Sequence, residues 1–269
     1  AVVVAVDVAP SEGVVPIPLS RVSGRGPAPE VIELAGWAAW RWAGRRATFL
    51  RAASPPAVVA RVPAAAPAVA ARGDGSGAGA GGDAGGIVDD ALARPLAVLR
   101  WPPGADRFAL VRAAVTAPSP VLDGRCLVLC PSVDEAIALG RRLRRDGVAT
   151  AIVAHHGAGG AAAAGEWARA AAGAVVVGAR AAAWAPVAPL GRVVVLDEHD
   201  EAYQGDASPT WNARDVAVER ARASDAPPPP RLRYGEALDA ALDTLCARPE
   251  TTAEAARLRI PPRWLALKL

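Results

Sequence analysis

From residue 95 onward the sequence alternates short apolar runs with longer stretches of helical period. Leu96–Trp101, Cys126–Cys130, Ala151–Ala154, Ala174–Val177 and Arg192–Leu196 are apolar or β-branched runs of strand length. Between them, residues 105–117, 133–146 and 161–172 carry apolar positions at helical spacing. Strands that alternate with helices of this length predict an α/β fold, a parallel sheet with helices on both faces, here of five strands. Ligand pockets in such sheets lie beyond the carboxyl ends of the strands, so the loops there are the places to look for chemistry.

Upstream, Val2–Val8 and Val14–Val22 predict two strands, the second interrupted by Pro16 and Pro18. Residues 30–51 predict one helix, ended by Ser54-Pro55-Pro56. At about 100° per residue, Val31, Leu34, Ala35, Ala38, Trp42 and Phe49 share a face, with Trp37, Trp40, Arg41, Thr48 and Arg51 on the other. Two readings of the second face stand side by side. Its Trp and Arg side chains stack on bases and pair with phosphates, or the Trp residues pack beneath neighbouring strands.

Between these parts, residues 64–86 (AAAPAVAARGDGSGAGAGGDAGG) have no hydrophobic period and read as a flexible Ala/Gly linker. The expected organisation is a small N-terminal segment over 1–63, the linker, an α/β lobe over 87–225, and an unassigned tail over 226–269.

Composition excludes several classes. The chain has 269 residues, 52% of them hydrophobic and 21% charged, which is globular composition. No apolar run reaches the roughly 18–20 residues of a membrane span, and no signal peptide is visible. The chain opens without Met and reads as a fragment. Three cysteines make no disulfide framework, in keeping with a reducing cytoplasm. Of the 30 basic residues all but Lys268 are Arg, and the alphabet is rich in Ala, Gly and Pro. Arg abundance alone therefore says little about nucleic acid, but its distribution says more. Residues 1–63 hold seven Arg against four acids, whereas the remainder is balanced, so the net charge of +3 sits in the first quarter. That points to an anionic partner there.

The candidate chemistry lies in two loops. Pro102-Pro103-Gly104-Ala105-Asp106-Arg107 follows the first apolar run, where a nucleotide-binding lobe would place a Gly-rich loop and a Lys. Two prolines remove donors, no Lys is present, and Asp106 puts negative charge where phosphate belongs. Asp197-Glu198-His199-Asp200 follows the last run; acids directly after a strand hold metal and water in nucleoside triphosphatases. Arg180 follows the fourth run and suits a phosphate contact. Cys126 and Cys130 alternate onto one strand face and read as core. His155 and His156, being adjacent, cannot both reach one metal, and nothing requires a Ser–His–Asp device from Ser119 or Ser132 with His155 or His199. No metal site is expected.

Taken in order, AIVAHHG at 151–157, the helix with Trp167, AVVVGARAAAWAPVAPLGRVVVLDEHDEAY at 174–203, NARDVAVERA at 212–221 and CLVLCP at 126–131 resemble the PriA family of bacterial replication-restart, helicase-like proteins (primosomal protein N′) in its actinobacterial form. Residues 29–63 resemble the helix and Pro-Pro junction of the family's winged-helix DNA-binding domain. The resemblance implies a RecA-like lobe preceded by a winged-helix-like segment, forked or junction DNA and other primosome and replication proteins as partners, and ATP, Mg²⁺ and zinc as family cofactors. The sequence departs from the family at those cofactor sites. Pro103, Gly104, Asp106 and Arg107 stand in a degenerate phosphate loop, Leu196 replaces the leading acid of the Asp-Glu-x-His box, and Gly178-Ala179-Arg180 lacks the family's Thr hydroxyl. Pro227–Pro230 and an Ala-rich stretch stand where the third helicase motif is expected, and the zinc cysteines are absent from this sequence. The expected function is that of a replication-restart primosome protein that binds DNA at stalled forks, mainly through its first 63 residues, with a helicase-like lobe that does not turn over ATP and no cofactor in this chain. The alternatives are an active 3′–5′ helicase and an unrelated α/β hydrolytic enzyme using the acidic strand end.

Overall fold

The computed structural model describes residues 13, 15, 23–66, 84–102, 104–119, 124–154, 159–223 and 236–250. The expected strands at 2–8 and 14–22, residues 67–83 of the linker, Pro103, His155, His156 and Pro227–Pro230 fall outside them. The chain divides into two compact units, Ala1–Pro228 and Pro229–Leu269. In the second, the described element is a helix over Glu236–Cys246.

The first unit is α/β. Its four strands, β1 (Arg125–Leu129), β2 (Thr150–Val153), β3 (Val175–Gly178) and β4 (Leu190–Val195), form one all-parallel open sheet in the order β2-β3-β1-β4. This architecture agrees with a RecA-like lobe. The strand sequences RCLVL, TAIV, VVVG and LGRVVV are almost continuously apolar because both faces of the sheet are covered. Register pairs Leu127 with Val176 and with Val193, so successive residues of β1 meet opposite cores. Leu127, Leu129, Val153 and Val176 enter one core; Cys126, Val128, Cys130, Val175 and Val177 enter the other.

The helices sort between these faces as right-handed crossovers require. From β1 the chain crosses outward to β2 through α5 (Val133–Arg145) on the second face, then returns to β3 through α6 (Gly160–Ala171) on the first. Preceding β1, α3 (Ala84–Leu92) and α4 (Arg107–Thr116) also lie on the second face, while α7 (Ala213–Ala223) follows β4 on the first. Gly140 lets α5 press onto β2, since a Cβ there would meet Ile152 at 2.5 Å. No described helix is long and apolar enough to cross a membrane.

Three expectations need correction. Leu96–Trp101 is not a strand: among the described residues the sheet has four strands, and this segment runs beside it without ladder bonds. Only Leu99 and Trp101 pack against the core, leaving Leu96 and Val98 46% and 80% exposed, and Pro95 and Pro102 at its ends cannot donate hydrogen bonds. Residues 30–51 are two helices, α1 (Pro29–Arg41) and α2 (Arg46–Ala52). The break is backbone chemistry: Ala43 takes a left-handed φ of 49°, and a Cβ on Gly44 would lie 2.8 Å from the Phe49 ring. Helix α3, unforeseen, begins inside the stretch read as linker and buries Val88.

The inward face of α1 and α2 is the expected one: Val31, Leu34, Ala35, Ala38 and Phe49 are buried in the same core as β1, β2 and β3. Aromatic rings join the two parts. Trp37 meets Trp42 edge-on at 5.2 Å, Trp42 lies 6.1 Å from Phe49, Phe49 5.8 Å from Trp184, and Trp184 5.5 Å from Trp211. Such contacts add to area burial.

Candidate functional site

After β1 the chain leaves to one face through α5, and after β4 it reaches the other through α7. Adjacent strands whose continuations part in this way leave a crevice at their carboxyl ends. Its walls come from three helix or strand termini. Beyond β1, Ser132 caps α5 by accepting from the Glu135 N–H at 3.1 Å, which fixes Asp134 and Glu135 in the first turn. Beyond β4, Asp197 takes a left-handed φ of 44°, a conformation that short polar side chains tolerate. Arg107 opens α4, and a single nitrogen, Nη1, donates to both Asp197 Oδ2 and Glu135 Oε1, the latter at 3.2 Å.

One residue upstream, Asp106 caps α4 by accepting from the Phe108 N–H at 2.9 Å. The same carboxylate receives both terminal nitrogens of Arg142, at 2.9 and 2.7 Å, and that guanidinium lies 4.0 Å from the Phe108 ring centre. Hydrogen bonding from Arg142, then from the Phe108 N–H, holds the Asp106 carboxyl below its ordinary range. Behind the crevice the buried Tyr203 hydroxyl sits between the carbonyls of Leu129 and Leu196, 3.1 and 2.5 Å away, tying the ends of β1 and β4 together. Burial pushes that hydroxyl's pKa up. Burial likewise pushes the Cys126 thiol up to about 12, as expected of a core thiol rather than a nucleophile.

The rest of the Asp-Glu-His-Asp turn is dispersed. Glu198 pairs with Arg214 at 2.8 Å, His199 is exposed, and Asp200 caps the short 3-10 turn Glu201–Tyr203 through the Ala202 N–H. Arg180 donates to the Gln204 carbonyl at 2.5 Å. Gly104 is exposed with a φ of +78°. Among the described residues no group of His, Cys, Asp or Glu is arranged to hold a metal ion.

Of the residues expected on the outward helix face, Trp37 is half-buried in the aromatic contacts, whereas Trp40 is 37% exposed and Arg51 is exposed. Arg41 pairs with Asp215 of α7 at 3.7 Å and lies 5.5 Å from the Trp42 ring. Glu135, Arg142, Tyr203 and Arg214 were not anticipated. For Glu135 a signal existed, the Ser-x-x-Glu capping pattern at 132–135; Arg142 stands 36 residues from Asp106, a separation that no periodicity reveals. A cavity at the opposite end of the sheet, between Pro63, Ala66, Arg144, Thr150 and Arg169, has both its arginines bound to Glu166 and is remote from this crevice.

Each cation drawn into the crevice wall is matched by a carboxylate. A magnesium–nucleotide needs unpaired backbone donors at a helix N-terminus, a mobile cation for the terminal phosphates and a free acid for the metal. Here the helix end carries a carboxylate cap, and both Asp197 and Glu135 are bound to arginine. The residues present do not fit that group.

Comparison with known proteins adds an independent line. No protein-family model matches the chain. A stretch of 53 residues is 43% identical to the replication restart protein PriA of Chlamydia trachomatis, 38% identical to that of Bacillus subtilis and 42% identical to that of Treponema pallidum. The matched stretch is 19–20% of this chain and spans only 7–8% of the length of those relatives. A segment of the chain is thus similar to PriA.

Proposed function

We propose that this chain is part of a replication-restart protein of the PriA type that binds DNA, its α/β lobe serving as a scaffold without turning over ATP. The first half of the reading rests on the PriA-like segment together with the parallel-sheet fold. The second rests on one observation, the carboxylate-capped start of α4. Catalysis of phosphoryl transfer is mostly positioning and charge neutralisation, and a loop with two prolines, no Lys and a capping Asp106 engaged by Arg142 supplies neither.

The DNA surface is assigned to the helices before the sheet. From 34 to 66 the sequence carries five Arg and no acid, and Arg45, Arg51 and Arg61 are exposed. Contacts of this kind provide sequence-independent, salt-sensitive affinity for phosphates. Trp40 supplies a stacking surface beside them; Trp37 contributes by supporting Trp42. Arg180 is a lesser contact at the carboxyl end of β3. The partners are forked or junction DNA and other primosome proteins, and the compartment is the cytoplasm.

The test is anisotropy of a labelled fork, with and without Mg–ATP, beside a phosphate-release assay. Binding should be indifferent to nucleotide, and phosphate release should stay at the level of Glu198→Gln. The double variant Arg45→Ala/Arg51→Ala should weaken binding and flatten its salt dependence. DNA-stimulated release above the control would refute the scaffold reading; a folded double variant with wild-type affinity and salt slope would refute the assigned face.

A further inference from the structure

We propose that Arg107 is a built-in counter-cation that holds the crevice in one arrangement, standing between two carboxylates as an exchangeable metal ion would. The inference rests on the reading of the lobe as nucleotide-independent and says what keeps it so. Its basis is the geometry at one atom. Asp197 Oδ2 and Glu135 Oε1 both approach Nη1 of Arg107, so the two oxygens face each other across a single positive group. They come from different strands' ends, β4 and β1–α5, and Arg107 brings a third element, α4. One guanidinium therefore joins three elements at the point where their charges would otherwise repel.

Among the described residues, the neighbouring arginines are engaged elsewhere. Arg142 is spent on Asp106, and Arg214 is spent on Glu198, on the far side of the turn. Tyr203 is turned toward the Leu129 and Leu196 carbonyls, and the Cys130 thiol, also close to Glu135 and Arg107, is kept protonated by burial. The side chains of Arg107, Asp197 and Glu135 are 36%, 34% and 25% exposed. Solvent ions therefore have access to the crevice, and removing the guanidinium would leave two facing carboxylates open to a small divalent cation.

The roles divide sharply between a counter-cation and an ordinary surface ion pair. Four proteins decide it: wild type, Arg107→Ala, Arg107→Lys, and Arg107→Ala with Asp197→Asn and Glu135→Gln. Each is melted with and without magnesium and titrated with Mn²⁺, followed by electron paramagnetic resonance. Wild type should melt at the same temperature with or without magnesium. Arg107→Ala should melt a few degrees lower, recover with magnesium, and bind Mn²⁺ about tenfold more tightly than wild type, as oxygen ligands converging on a hard cation should. Arg107→Lys should resemble wild type. The triple variant should regain the lost melting temperature without metal, because neither carboxylate is charged.

Should Arg107→Ala fail to fold, the triple variant decides, its folding supporting the counter-cation and its failure overturning it. Destabilisation without a gain in Mn²⁺ affinity also overturns it. ATP turnover by the wild type would refute the scaffold reading, but it would leave the metal titration of Arg107→Ala standing on its own result.

Discussion

The two edges of the sheet carry similar apolar runs, TAIV in β2 and RVVV in β4, yet they are finished in different ways. At β2 the outward backbone groups are taken up by side chains from two helices. Glu166 of α6 accepts the Ile152 N–H at 2.8 Å, Arg144 of α5 donates to the Thr150 carbonyl at 2.9 and 3.0 Å, and the two side chains pair at 2.6 Å. Arg169 holds Glu166 from its other side. At β4 no strand pairs on the outer side among the described residues. There Arg192 turns away from its own edge and donates to the carbonyls of Ala114, Ala117 and Pro118, fastening the end of α4 beside the strand. An unpaired edge is a template for unwanted pairing. One edge has its backbone groups taken up by charged side chains; at the other, a strand arginine anchors the end of a helix. The lesson is that the two edges draw on different places: residues 144 and 166 act on β2 from neighbouring helices, whereas residue 192 acts from within β4 itself.

The sharpest way to break this contrast is Glu166→Ala. It strands the Ile152 N–H and two arginines at once, and loss of a charge-assisted acceptor at a partly buried site should cost about 2–3 kcal/mol in urea unfolding. The variant should also aggregate on heating. A cost below about 0.5 kcal/mol, the level of an exposed ion pair, would mean that the β2 edge needs no seal. Next comes Tyr203→Phe, which releases the carbonyls where β1 and β4 meet; about 1–1.5 kcal/mol is expected, the ordinary value of a buried hydrogen bond. If hydrogen exchange at Cys130 and Asp197 is unchanged in it, the strand ends are held by packing alone.

Arg192→Ala should cost about 1 kcal/mol and raise exchange through the last turn of α4 while sparing β2. Equal loosening of both edges would show that the sheet responds as one body and that the contrast is only local geometry. The smallest effect concerns acid. Because the Asp106 pKa is depressed by Arg142 and the Phe108 N–H, its contribution is present above the ordinary carboxylate value near 4 and disappears as pH falls through the lower folded value. Asp106→Asn should remove that part of the acid dependence, the variant being slightly less stable than wild type at neutral pH and converging with it in acid.

The sequence made some of these features plain and hid others for definite reasons. Strands β1 to β4 were legible because both their faces are buried, so their runs are unbroken. Leu96–Trp101 has the same alphabet, but a segment whose alternate side chains are half covered need not join a ladder. The division of residues 30–51 turned on one left-handed Ala43, a conformation that no propensity favours. In the crevice, Asp106, Arg107 and Asp197 were visible as individual candidates. That Arg107 meets Asp197 across 90 residues was not, since loop lengths and crossovers decide which strand ends become neighbours. Trp37 was placed outward by a helical wheel, yet it lies one turn from the end of α1, where Trp42 leaves the helix and turns an edge toward it.

The chain of rings from Trp37 to Trp211 makes the lobe optically self-reporting. Four indoles and a phenyl ring, each 5.2–6.1 Å from the next, reach from α1 to the loop ahead of α7. Rings this close share excitation, so near-ultraviolet dichroism and tryptophan emission register the seating of α1 and α2 on the sheet without any attached label. A ligand that pulls on the arginines of α2 should therefore change the coupled near-ultraviolet bands of these rings, the signal that reports their mutual spacing.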